Sequence, residues 1–174
     1  MAKKTKEKKA KNFSFDAPVL IVTGEHSGDL LGGDLVHAMK KLGFTKFFGT
    51  GGQVMREAGV DIVQDVDAMA VMGFVEVLRA YRRLKTLAEK LVEMAKTAGT
   101  KTAILIDYPG FNLKIEDMLH EEGIRVVYLV SPQIWAWHYS RIKKIRKNVD
   151  LMLTLFAFEE EMYSKEGVKS FWVG

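Results

Sequence analysis

Short β-favouring runs alternate with amphipathic helical patterns from Ala17 onward, and this alternation restricts the fold more than any other feature of the chain. The runs occupy residues 18–23, 44–48, 60–63, 102–106, 124–130, 151–155 and 169–173. Helical spacing fills the intervals, through Leu30, Leu31, Leu35, Ala38, Met39 and Leu42, then over 53–58, 74–98, 113–122, 139–147 and 158–165. Strands that alternate with helices cannot pair as hairpins. The expected fold class is therefore α/β, a doubly wound and mostly parallel sheet with right-handed crossovers.

With 174 residues, 48% of them apolar, the chain is long enough for one compact core and too short for two. The absence of cysteine excludes disulfides, thiolate metal sites and cysteine nucleophiles. No apolar stretch approaches the roughly 20 residues of a membrane span, and the lysine-rich start has no apolar segment behind it. A cytoplasmic protein is expected. The net charge of +4 misleads, because the first twelve residues hold six lysines against one glutamate and the rest carries about −1. Residues 1–16 read as a disordered lysine-rich tail and 17–174 as the domain. A nucleic-acid interface is not expected on a domain that is not basic.

In a parallel sheet all strand ends of one polarity open on one edge, which is where ligands bind. That edge would gather Glu25, Ser27, the Gly49-Thr50-Gly51-Gly52 segment, Asp107, Ser131 and Trp135 around one crevice. The stretch Ile104-Leu105-Ile106-Asp107-Tyr108-Pro109-Gly110-Phe111-Asn112 is its centre and reads as strand, tight turn, helix. Pro109 biases Tyr108 to an extended conformation, Gly110 permits the reversal, and cap chemistry at Asn112 starts the helix. Asp107 is then a turn residue accepting backbone hydrogen bonds, or an acid facing the crevice; for a lone aspartate the first role is the commoner.

Several chemistries can be set aside. No lysine follows the first glycine loop, so it is not a Walker A loop, and the second fails the dinucleotide spacing at its third glycine. Backbone N–H groups of the first loop, at a helix start, still suit an anion. The adjacent His26 and Ser27 point apart and lack the nucleophile-elbow spacing. Asp65-Val66-Asp67 reads as a solvated turn, the four histidines are scattered, and neither metal nor cofactor is expected.

Five segments together resemble the N-terminal half of the lipid-A-disaccharide synthase family: Gly24-Glu25-His26-Ser27-Gly28-Asp29, Ala70-Val71-Met72-Gly73-Phe74-Val75-Glu76-Val77-Leu78, residues 106–112, Ser131-Pro132-Gln133-Ile134-Trp135-Ala136-Trp137 and Arg141-Ile142-Lys143-Lys144-Ile145. They run in family order from about Val19 to Gly174. The resemblance implies a Rossmann-like N-terminal domain of a GT-B glycosyltransferase. It also implies transfer of 2,3-diacylglucosamine from its UDP donor to 2,3-diacylglucosamine 1-phosphate, with release of UDP. The family's second domain, expected to hold most of the donor, lies beyond the matched half, so this chain is expected to be the acceptor-side half and inactive without a separate C-terminal half. One departure is Gly110, where many relatives carry a second aspartate.

The implied reaction is inverting, with Asp107 as base and Glu25 as a second acid whose like charge would raise the pKa of either. Gly24, Ser27, Gly28, Asp29, Phe111, Asn112 and Ser131 would contact substrate, and Trp135 would pack against a sugar ring or acyl chain. Trp137 is expected in the core. On a helical wheel Phe74, Val75, Val77, Leu78, Tyr81 and Leu84 cover about 180°, bordered by Arg79, Arg82, Arg83 and Lys85. Geometry alone allows a crossover helix tucked under a loop, or a helix lying in a membrane interface. Acylated substrates favour the second, so a peripheral protein on the inner face of the cytoplasmic membrane is expected, with Val75, Val77, Leu78, Tyr81 and Leu84 as contacts. The alternative is a noncatalytic lipid- or nucleotide-binding module.

Overall fold

A computed structural model describes residues 15–69 and 76–174, and the side chains of the second stretch from residue 82 onward. The expectations for the lysine tail up to residue 14 and for Val75, Val77, Leu78 and Tyr81 at the membrane lie outside the described residues and side chains.

The strands are β1 (Val19–Val22), β2 (Phe47–Gly51), β3 (Asp61–Asp65), β4 (Thr102–Ile106), β5 (Arg125–Leu129), β6 (Leu151–Thr154) and β7 (Ser170–Trp172). The helices are α1 (His26–Lys41), α2 (Gln53–Glu57), α3 (Glu76–Thr97), α4 (Pro109–Glu121), α5 (Ile142–Asn148) and α6 (Ala157–Lys165). All seven strands pair in parallel, in the order β3-β2-β1-β4-β5-β6-β7. The chain leaves β1 towards β2 and later re-enters beside β1 as β4. That reversal is the switch point at which such sheets bind ligands.

Strand periodicity assigns the two layers. Leu20, Val22, Ala103, Leu105, Val126 and Tyr128 face the larger core, shared with residues of α3, α4, α5 and α6. Val19, Ile21, Ile104 and Ile106 face the smaller one, with Val36 of α1 and Met55 of α2. Both faces of β1 and β4 are buried, which is why these strands read as unbroken apolar runs.

Three expectations need correction. Gly49-Thr50-Gly51 is the body of β2 and not a loop. The strand bulges between Gly49 and Thr50, and a Cβ on Gly49, which has φ of 151°, would overlap the Ile21 carbonyl. Of the residues that marked α1, Leu30 and Leu42 are 58% and 68% exposed, while Leu35 and Met39 pack, partly buried, against the smaller core. The buried face of α1 is Gly28, Asp29, Gly32, Gly33 and Val36, whose small residues admit the side chains of Thr23, Met55 and Val54. Trp137 is not core; it is 75% exposed.

Candidate active site

The turn after β4 is built differently from its expected form. Asp107 and Tyr108 both adopt left-handed backbone conformations, with φ of 48° and 46°, and Pro109 is already in the first turn of α4. Proline suits that position because its missing N–H would have had no partner there. Tyr108 is thus not extended, and the reversal does not fall on Gly110.

Two consecutive residues other than glycine in this region cost on the order of 1–2 kcal/mol each, so the surroundings must hold them. The Asp107 N–H donates to Leu129 O at 2.9 Å. Its carbonyl accepts from Asn112 Nδ2 at 2.7 Å and from the Tyr128 hydroxyl at 2.8 Å. The Tyr108 hydroxyl donates to Met69 O at 3.3 Å, and its ring lies where a Cβ on Gly24 would be. Gly24 is glycine because this ring needs the space. Val130 and His138, with φ of 64° and 63°, place further strain in the loops after β5.

A cleft of about 260 Å³ opens beside this turn, lined by residues that include Asp107, Val130, Ser131, Gln133, Trp137 and Arg141. Asp107 is half-buried, and burial pushes its carboxyl above the usual aspartate value, against the lowering effect of the Tyr108 N–H. Desolvation, and not a facing Glu25, is the cause. Glu25 is exposed at the start of α1, and its charge acts on Tyr108, whose phenol is raised first by burial and then by that charge. The loops after β1 and β4 are therefore neighbours. Arg141 brings an exposed cation to the cleft lining.

Four of the expected substrate contacts are structural. Asp29 is 3% exposed and accepts from the N–H groups of Gly52 (2.7 Å), Val54 (3.0 Å) and Met55 (3.1 Å), capping α2 from a neighbouring helix. Gly28 is buried against Thr23. Phe111 belongs to the larger core. Asn112 is fully buried and spends its amide hydrogens on the carbonyls of Ile106 (3.2 Å) and Asp107 (2.7 Å), so it fixes the acid and does not face the crevice. Ser27 is exposed in the first turn of α1 and is not among the residues that line the cleft. Leu84 is half-buried and packs against the larger core.

Ser131 and Trp135 are held by a residue that sequence reasoning missed. Glu159 of α6, 2% exposed, accepts from Ser131 Oγ at 2.8 Å and from Trp135 Nε1 at 3.1 Å. Tyr163, one turn on, donates to Pro132 O at 2.9 Å. Helix α6 thus anchors Ser131 and Pro132, which line the cleft together with Asp107. Trp135 stays 46% exposed, edge-on to Phe158 at 5.3 Å, and Phe158 stacks with Phe156 at 5.8 Å. Nothing in the run Glu159-Glu160-Glu161 marks which glutamate points inward. Among the described residues no group of histidines and acids is arranged to hold a metal.

Comparison with known proteins places this geometry in context. A family model described as lipid-A-disaccharide synthetase matches residues 19–174. The lipid-A-disaccharide synthase of Coxiella burnetii is 47% identical over 157 residues, and that of Geobacter metallireducens 44%. The alignments cover 90% of this chain but only 42% and 41% of those relatives, so the chain spans less than half of their length. Among solved structures, the UDP-GlcNAc 2-epimerase from Neisseria meningitidis bound to UDP-GlcNAc superposes with a TM-score of 0.65 at 10% identity, covering 90% of this chain and 46% of that one. A putative UDP-N-acetylglucosamine 2-epimerase from Listeria monocytogenes gives 0.62 at 13% identity, with 87% and 42% covered. At such identities the likeness is one of fold: a Rossmann-like, GT-B-type domain.

Proposed function

We propose, from the premise that this chain belongs to the lipid-A-disaccharide synthetase family, that it forms the acceptor-side half of an inverting glycosyltransferase. The reaction moves 2,3-diacylglucosamine from its UDP donor to 2,3-diacylglucosamine 1-phosphate and releases UDP. The acceptor hydroxyl attacks the anomeric carbon as the bond to UDP breaks, and Asp107 takes the hydroxyl proton. A sugar hydroxyl is too weak an acid to attack well unless its proton is removed as the bond forms.

The observation that carries this reading is the setting of Asp107. Its left-handed backbone is held by Asn112, Tyr128 and Leu129, and burial raises its carboxyl, which makes it a better base than a solvated aspartate. Glu25, beside Tyr108, orients the acceptor or the acid. Ser131 meets a sugar hydroxyl, and Trp135 offers an exposed face to a ring or acyl chain. A second, UDP-binding domain supplies most of the donor site.

The acylated substrates place the protein at the inner face of the cytoplasmic membrane, with Val75, Val77, Leu78 and Tyr81 as contacts. No helix among the described residues is long and apolar enough to cross a membrane. The decisive experiment is Asp107→Asn, assayed with the UDP-binding half supplied. Turnover should fall by on the order of a hundredfold or more while the unfolding transition is kept. Near-normal turnover would remove Asp107 from the chemistry.

A further inference from the structure

We propose that Glu159 is a positioning residue that fixes the polarity of Ser131, so that the serine offers lone pairs to the cleft and selects a ligand group that donates a hydrogen bond, a hydroxyl or an amide N–H. The inference rests on the reading of the cleft as a sugar site and adds to it which hydrogen-bonding character this wall recognises.

A serine hydroxyl has one proton and two acceptor lone pairs, and in solution it rotates to suit either kind of partner. Here its proton is committed. Ser131 Oγ lies 2.8 Å from Glu159 Oε2, and a carboxylate can only accept. The carboxylate cannot turn away, because its other oxygen holds the Trp135 indole N–H at 3.1 Å, and an indole can only donate. The first bond is buried, with Glu159 at 2% and Ser131 at 5% exposure, and the second is partly buried. The Ser131 proton therefore points away from the cleft that Ser131 lines. What remains on the cleft side is acceptor.

Glutamine at position 159 would reverse this arrangement with almost no change of shape. Its one carboxamide oxygen must go to Trp135, whose N–H has no alternative role, and its NH₂ then faces Ser131. The serine accepts from the amide, and its own proton swings into the cleft. Glu159→Gln thus converts Ser131 from an acceptor to a donor towards the ligand. A purely structural glutamate would lose stability on substitution without altering which ligand groups are preferred.

The test uses the full chain and soluble glucosamine 1-phosphate, together with analogues in which each ring hydroxyl in turn is replaced by fluorine, a group that cannot donate. Binding is followed by NMR titration, and the Trp135 indole N–H resonance, assigned with Trp135→Phe, reports whether the link to residue 159 persists. With the native protein one fluorinated analogue should bind about tenfold more weakly than the parent sugar, the size of one net hydrogen bond. In Glu159→Gln that discrimination should shrink to near unity while the indole resonance stays hydrogen-bonded. Ser131→Ala should also abolish it. An unchanged preference in Glu159→Gln overturns the polarity role while leaving the sugar site standing. Failure of the native chain to bind the parent sugar overturns both together.

Discussion

Burial raises the pKa of two carboxyls on adjoining elements, Asp107 at the end of β4 and Glu116 within α4. Glu116 is fully buried, and its pKa is pushed up to about 8, burial outweighing the opposing Lys144 charge. The Asn148 amide also opposes the rise, although at close range its N–H donates to Asp117 Oδ1 and leaves both Glu116 oxygens without a well-formed hydrogen bond among the described residues. The stability consequence has a definite sign. Between the ordinary value of 4.5 and about 8 the folded state holds more protons than the unfolded one, so stability falls as pH rises through that window. Glu116→Gln removes the dependence. The variant should match the native protein near pH 5, and near pH 9 it should exceed it by on the order of a few kcal/mol. Thermal melts at the two pH values test this; an equal difference at both would show that Glu116 ionises as it does in water. A carboxyl at this helical position reads from sequence as a surface residue, because Asp117 and His120 nearby are polar too. Only the folded chain reveals otherwise, and there Glu116 also acts on Tyr128 and Tyr163, whose phenols are raised first by burial and then in part by its charge.

Helix α2 has five residues and receives no side-chain cap from its own N-cap residue, Gly52. So short a helix is marginal by itself. Asp29 of α1 supplies the missing acceptors, and Asp29→Ala should lower stability by about 1–3 kcal/mol, the cost of leaving buried donors unsatisfied. The shift of the urea midpoint measures it. An unshifted midpoint would mean that the carboxylate is free for another role, including the ligand contact expected from sequence. The alternation of elements was readable because apolar runs of strand length and amphipathic helical stretches differ in period. The α1 face was not, because periodicity tracks apolar side chains, whereas this helix packs through glycines. The glycines of β2 likewise mimic a loop, although the Thr50 hydroxyl ties that strand to Thr23, accepting from its N–H and donating to its carbonyl.

At the scale of the molecule, the cleft draws on the ends of β4 and β5, with the loop after β1 beside it and α6 behind it, while the chain spans less than half the length of the relatives it matches. If the donor site belongs to another domain, the chain alone should show negligible UDP affinity by calorimetry and no transferase activity, and activity should return on mixing with a matching C-terminal half. Tight UDP binding by this chain would contradict that division. The sequence by itself determined the parallel α/β class, the placing of Asp107 and Ser131 at one sheet edge, and the family, because period and motif order are local properties. The tertiary structure alone decided that Asp29, Phe111 and Asn112 serve the scaffold, that Trp137 is largely exposed, and that Glu159 accepts from both Ser131 and Trp135. The Asp29 and Glu159 roles join atoms 23 to 28 residues apart in the chain, and no local pattern in the sequence encodes such a meeting.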